Sequence, residues 1–373
     1  NIIDSNTSNK YAYAQVFPDD EENSFDYVFD PSEYIDDVFD TEIEKFEDGN
    51  LDSQMTEEKE KIEATDGDEI IEKGGKRNTI SSSIDNSDLA MKQSNNLDFN
   101  FVAVGDWDCT SDTKDTVKNV LKQDPEIVLA LGDLSYNGKA KCWLKLIQPF
   151  ADKTKIVFGN HEVESSKIIK DYINYFDLER QYYSFTYKNI HFIALSTEVP
   201  YEEGSTQYKA IKRDLQKYSN DPSINWIVAF YHRQAYSSGG GPDNEDEFRE
   251  TYHPLFDKYN VDLALQGHLH AYERLHPIIF NHDRDSKPFV TDNSTNYYKN
   301  PEGTIFITAG TGGAHDMDLS SPKYYSANGI DGEFGILNIS VENNGNVLKG
   351  SFIGNDKNEI FDEFEIIKNQ RQE

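Results

Sequence analysis

The chain has 373 residues and a net charge of −32, and more than half of that charge lies in the first 97 residues. Such a carboxylate surplus repels nucleic-acid backbones and anionic lipid, and no basic patch interrupts it, so neither is an expected partner. No run of 18 apolar residues occurs, so no transmembrane helix is expected. Two cysteines, Cys109 and Cys142, are too few for a thiolate zinc module or a disulfide-dense scaffold.

Residues 1–97 read as an acidic, mostly disordered segment. From Phe17 to Glu72 the sequence is dominated by Asp and Glu, and Lys76 to Asn96 is a polar run; neither keeps a helical or strand period. Low hydrophobicity with high net charge buries too little apolar surface to offset chain entropy. Short helices within Asp40 to Glu63 are the exception to look for, and the segment is either a cation-binding tail or simply solvated. The sequence begins at Asn1, and Tyr11-Ala12-Tyr13-Ala14-Gln15 has the small-x-small pattern of a signal-peptidase site. Export to a secreted or cell-surface location is the expectation, the alternative being a chance pattern in a disordered stretch.

The character changes at Phe99, and 98–368 reads as one catalytic domain. Strands are expected at Phe99–Val104, Ile127–Leu131, Lys155–Phe158, Ile190–Leu195, Trp226–Tyr231, Val261–Gln266, Thr304–Thr308, Phe334–Val341, Val347–Ile353 and Ile360–Ile367. Amphipathic helices are expected near Asp112–Lys122, Lys141–Pro149, Ser165–Phe176, Thr206–Tyr218 and Glu245–Tyr259. Strand–helix alternation in the first two thirds predicts largely parallel pairing, and the closely spaced strands after Thr304 predict antiparallel pairing. The fold class is therefore α/β, with two packed mixed β-sheets flanked by helices.

Five polar clusters each follow directly on an expected strand. They are Gly105-Asp106-Trp107-Asp108, Gly132-Asp133-Leu134-Ser135-Tyr136, Gly159-Asn160-His161-Glu162, Tyr231-His232-Arg233 and Gly267-His268-Leu269-His270. In α/β sheets the carboxyl ends of strands converge on one crevice, so side chains far apart in sequence can meet there. Oxygen and imidazole donors without thiolate suit Fe, Zn or Mn, and there are enough of them for two ions.

This ordered set resembles the calcineurin-like metallophosphoesterase superfamily. Gly132-Asp133-x-x-Tyr136 with Gly267-His268-Leu269-His270-Ala271-Tyr272-Glu273-Arg274 is similar to the purple acid phosphatases in particular. The resemblance implies that Asp106, Asp133, Tyr136 and His270 hold a ferric ion, with Asp133 bridging to a second, divalent ion of iron, zinc or manganese. Asn160, His232 and His268 would complete the second site. Phenolate ligation by Tyr136 would give a visible charge-transfer band. The resemblance also implies that His161 is catalytic, stabilising the phosphoryl group or protonating the leaving alkoxide. Glu162 either orients an imidazole or starts a helix.

The implied activity is hydrolysis of a small phosphomonoester, with an acidic optimum, by in-line attack of a metal-bound hydroxide; oligomeric state is not readable. Rival readings are a phosphodiesterase or nucleotide pyrophosphatase on the same scaffold, and a noncatalytic, acidic, cation-binding surface protein. This chain departs from its relatives at Asp108, where they usually have glycine. It departs again at Ser237-Ser238-Gly239-Gly240-Gly241, where plant relatives carry histidines, and that loop is either a mobile lid or a flexible connection. The N-terminal fibronectin-like domain of plant relatives is not expected in 1–97, which lacks alternating strands. His315 is read as a loop residue, His191 as packed or edge-exposed within its strand, and His253, His276 and His282 have no supporting context. Cys109 and Cys142 fall in the loops after the first and second strands of the domain, either as a disulfide bracing those loops or as two thiols.

Overall fold

The computed structural model describes Ala14–Gln15 and residues 97–369, apart from 137–139, 240, 316, 320 and 358. The expectations for the acidic segment and for the pattern at Tyr11 to Gln15 lie outside the described residues, except that Ala14–Gln15 is a short strand, β1. The chain then runs β2 (Phe99–Val104), α1 (Ser111–Gln123), β3 (Ile127–Ala130), α2 (Ala140–Leu146), a 3-10 turn (Gln148–Lys153) and β4 (Thr154–Ile156). Next come α3 (Asn160–Val163), α4 (Ser166–Tyr175), β5 (Tyr183–Tyr187), β6 (Ile190–Ala194), α5 (Thr206–Tyr218), β7 (Trp226–Phe230), α6 (Asp246–Tyr259) and β8 (Leu263–Gln266). The remaining strands are β9 (Tyr272–Leu275), β10 (Ile278–Ile279), β11 (Phe289–Val290), β12 (Tyr297–Lys299), β13 (Ile305–Ala309), β14 (Ser326–Ile330), β15 (Gly335–Glu342), β16 (Val347–Gly354) and β17 (Ile360–Ile367).

Among the described residues these strands make two large mixed sheets, one ordered β1-β5-β6-β7-β8-β13-β9-β14 and the other β12-β17-β16-β15-β2-β3-β4. In β2, Phe99, Phe101 and Ala103 point between the sheets, while Val102 and Val104 pack under the helices on the outer face. Both faces are covered beyond the half-buried Asn100, so Phe101–Val104 reads as a continuous hydrophobic run. Phe101, Leu129, Leu337 and Ile339 from one sheet meet Phe192, Val228, Leu265 and Ile307 from the other in the central core. Outside it, α5 and α6 cover the first sheet with Ile211, Leu215, Phe248 and Phe256. The second sheet is covered by Val117 and Val120 of α1, Trp143 of α2, and Ile168 and Tyr172 of α4. The result is the expected helix–sheet–sheet–helix sandwich. No helix among the described residues is long and apolar enough to cross a membrane.

The parallel pairing is split between the layers: β2-β3-β4 and β12-β17 in one, β6-β7-β8-β13 in the other. β13, expected to pair antiparallel, does so with β9 but runs parallel to β8 on its other edge. The antiparallel run is β15-β16-β17, with β15 also antiparallel to β2.

Candidate metal centre

Parallel strands send their carboxyl ends in one direction, and the five polar clusters emerge from those ends. Asp106, Asp133 and Asn160 follow β2, β3 and β4 of one sheet, while His232, His268 and His270 follow β7 and β8 of the other. The backbone there is forced into unusual shapes. Asp106, Asp133 and His268 have φ of 59°, 47° and 69°, the left-handed region that non-glycine residues seldom adopt. Such strain persists where the surrounding fold over-determines it, and it clusters at functional sites. Gly132 is required twice over: its φ is 86°, and a Cβ there would come within 2.7 Å of His232 Nδ1. At Gly159 a Cβ would run into Asp133 Oδ1.

One group of donors gathers around Tyr136. Its hydroxyl lies 2.8 Å from His270 Nε2 and 3.4 Å from both Asp106 Oδ1 and Asp133 Oδ2, and His270 Nε2 is 3.3 Å from Asp106 Oδ1. A second group gathers around His232. Its Nε2 is 3.2 Å from Asn160 Oδ1 and 3.3 Å from Asp133 Oδ2, and donor atoms of Asp133, His232 and His268 all lie within 4.8 Å of one another. Asp133 Oδ2 belongs to both groups. All seven residues expected as ligands thus meet in one place.

Outer contacts aim these donors. His232 Nδ1 faces the Leu131 carbonyl at 2.9 Å and His270 Nδ1 faces the His315 carbonyl, which leaves each Nε2 for the centre. Asp106 Oδ2 accepts from the His268 amide, and Asp133 Oδ1 from the His161 amide. Glu162 is fully buried and takes the helix-start reading, since it accepts from Gly159 N at the start of α3. It also accepts from Leu134 N, so it ties the Asp133 loop to the Asn160 loop instead of holding an imidazole.

Electrostatics favour cations. Asp106 and Asp133 are at most 1% exposed, and among the described residues no Lys or Arg pairs with either. Buried carboxylates need compensation, because desolvating an unpaired charge costs several kcal/mol. Burial works against a charged His232, yet the Asp133 carboxylate beside it pushes its pKa up to about 10. His268 is drawn down to about 4 by burial and by the charge of His232. The Tyr136 phenol is held far above its ordinary value by burial and by the Asp106 and Asp133 carboxylates, a repulsion that a multivalent cation would reverse. Two buried carboxylates, a phenol, an amide oxygen and three imidazoles make a donor set that suits two such cations.

His161 stands beside the centre, with its side chain 30% exposed, Nε2 3.9 Å from Asp133 Oδ2 and its ring 4.2 Å from that of Tyr136. Asp108 occupies a left-handed turn with φ of 57°, and Cys109 is joined to Cys142 in a disulfide with Cα atoms 6.2 Å apart. Ser238 is moored by its amide and hydroxyl to buried Glu273, so that end of the serine–glycine loop is an anchored connection. The other histidines lie elsewhere: His191 pairs with Asp214, His253 with the Tyr236 hydroxyl, and His276 with the Ser294 carbonyl. His282 packs on Phe280, and the exposed His315 ring lies 4.9 Å from that of His270. Sequence reasoning assigned no role to Arg233, whose Nε is 2.6 Å from Glu198 beside the His232 ligand position, nor to Glu164. The spacing His161-x-x-Glu164 at a helix start was the available signal for the latter.

The family model for calcineurin-like phosphoesterases matches residues 99–272. Purple acid phosphatase 23 of Arabidopsis thaliana is 29% identical over 56% of this chain and 51% of its own length. The protein named probable inactive purple acid phosphatase 24, from the same plant, is 29% identical over 69% of this chain and 46% of its own. The chain spans about half the length of the curated relatives it matches. A purple acid phosphatase from yellow lupin seeds shares the fold, with a TM-score of 0.65 at 24% identity, over 74% of this chain and 54% of that one. Residues 99–272 thus match the calcineurin-like phosphoesterase family, and in sequence over this domain the chain is similar to the purple acid phosphatases.

Proposed function

We propose that residues 98–368 form a catalytic unit that hydrolyses phosphomonoesters at a two-metal centre. One observation carries the reading: Asp133 Oδ2 lies 3.4 Å from Tyr136 Oη and 3.3 Å from His232 Nε2, so one carboxylate oxygen serves two donor groups. Asp106, Tyr136 and His270 with Asp133 would hold Fe(III), since phenolate and carboxylate are hard anionic donors. Asn160, His232 and His268 with Asp133 would hold divalent Fe, Zn or Mn. Such a pair of ions, when bound, would polarise a phosphoryl oxygen and lower the pKa of a water for in-line attack. His161, on the open side, holds a proton at Nε2 for the leaving oxygen. The disulfide supports export to an oxidising compartment.

The noncatalytic reading gains weight from relatives whose names include "probable inactive". Against it, all seven ligand positions here carry metal-binding side chains, and they converge. The phosphodiesterase reading shares the centre and differs only in the substrate. Assays of metal-replete protein on p-nitrophenyl phosphate and bis(p-nitrophenyl) phosphate at acid pH decide among the three. Faster turnover of the monoester supports the proposal, faster turnover of the diester replaces it with a diesterase, and turnover of neither leaves the noncatalytic reading.

A further inference from the structure

We infer that Glu164 is a positioning residue for His161, an assignment that rests on the phosphomonoesterase reading above. α3 is a single turn, and residues three apart on a turn share a face. Glu162 faces inward, fully buried, with its carboxylate on the amides of Gly159 and Leu134. His161 and Glu164 share the outward face. Glu164 Oε1 lies 3.0 Å from His161 Nδ1, and the opposite ring nitrogen, Nε2, lies 3.9 Å from Asp133 Oδ2 at the centre.

A partly exposed imidazole can turn over about its ring axis and exchange the positions of its two nitrogens. The hydrogen bond made by one nitrogen decides which proton the other carries. With the Glu164 carboxylate 3.0 Å from Nδ1, Nε2 is the nitrogen presented to substrate. In the reaction, the imidazolium gives its Nε2 proton to the leaving ester oxygen, and the ring is left as the Nδ1–H tautomer. Glu164 holds that tautomer already, so proton transfer requires no ring movement.

Glu164 itself is well exposed, with 58% of its side chain accessible, so the pair adds little to fold stability. Its contribution is directional, and that separates it from a structural role. The test compares wild type, Glu164→Ala and Glu164→Gln by monoester kinetics, and by histidine 15N spectra of the full chain stripped of metal. In Glu164→Ala we expect kcat to fall about tenfold with KM nearly unchanged, the scale on which outer contacts act on a functional imidazole. Glu164→Gln should recover most of kcat, because its amide oxygen still accepts from Nδ1–H. In its neutral form, the state left after proton transfer, the His161 ring should report the Nδ1–H tautomer in wild type and a mixture in Glu164→Ala. An active wild type whose Glu164→Ala variant keeps both kcat and tautomer overturns the inference and leaves the function standing. A wild type that turns over neither ester overturns the function, and a tautomer unchanged in Glu164→Ala would then overturn the positioning role as well.

Discussion

Tyr136 places its phenol oxygen 2.8 Å from Nε2 of His270, with carboxylate oxygens of Asp106 and Asp133 each 3.4 Å away. Burial and those carboxylates hold the phenol protonated, and a multivalent cation bound there would displace its proton. Tyr136→Phe is therefore expected to fold normally and to lose the visible phenolate-to-iron band. Absorption spectra of matched wild-type and variant samples, with iron content measured alongside, check this.

The disulfide Cys109–Cys142 joins the loop that carries Asp106 to the helix that follows the Tyr136 loop, across a sequence separation of 33. Chain-entropy arguments give a crosslink of that span a stabilisation on the order of 4 kcal/mol. A Cys109→Ser/Cys142→Ser double variant should show a lower thermal midpoint and weaker metal retention. Equal midpoints for the two proteins would remove the bracing role.

Glu162 gathers the amides of Leu134 and Gly159, and so couples the Asp133 loop to the Asn160 loop. Glu162→Ala leaves those buried donors without a partner, at about 1–3 kcal/mol each. Metal affinity should drop about 10- to 100-fold, as is usual when outer contacts to ligand loops are lost. Titration of the metal-free protein with zinc, read calorimetrically, measures it.

A buried ion pair links the two sheets far along the chain: Arg274 of β9 donates to Asp362 of β17 at 2.7 Å, with Tyr272 and Asn328 on the same carboxylate. Burial opposes the Asp362 charge, but the Arg274 guanidinium more than offsets it and holds its pKa below the ordinary value. The stability it contributes is therefore fully present above about pH 4, the ordinary carboxylate value, and is lost as pH falls through the lower folded value. Asp362→Asn strands the guanidinium, at about 3–5 kcal/mol near neutrality. Urea unfolding of both proteins should show that gap narrowing in strong acid, and a gap independent of pH would contradict the assignment.

The sandwich was legible because Phe101–Val104, Ile127–Ala130 and Trp226–Phe230 are uninterrupted apolar runs, the mark of strands covered on both faces. The residues expected as ligands could be picked out because each sits just past a strand. Other elements left little trace. β14, Ser326–Ile330, contains Asn and Gly and none of the aromatic or branched alternation that marks a strand. β9 hides directly behind the ligand motif, and β5 turns into β6 through Lys188 at φ 50° in place of the Asn-Gly that signals a hairpin. The parallel pairing of β13 with β8 depends on long-range register, which no local pattern encodes. Glu164 passed unnoticed because an exposed glutamate after a helix turn is unremarkable until its distance to His161 is seen.

Metal stoichiometry of wild type and Asp133→Asn, purified without chelator and measured by elemental analysis, decides whether Asp133 bridges two ions. About two ions per wild-type chain are expected, iron among them, as two-metal hydrolases hold. One ion or none is expected in Asp133→Asn, with loss of phosphatase activity. A wild type without metal, or an Asp133→Asn variant that keeps both ions and full activity, would contradict the bridging role.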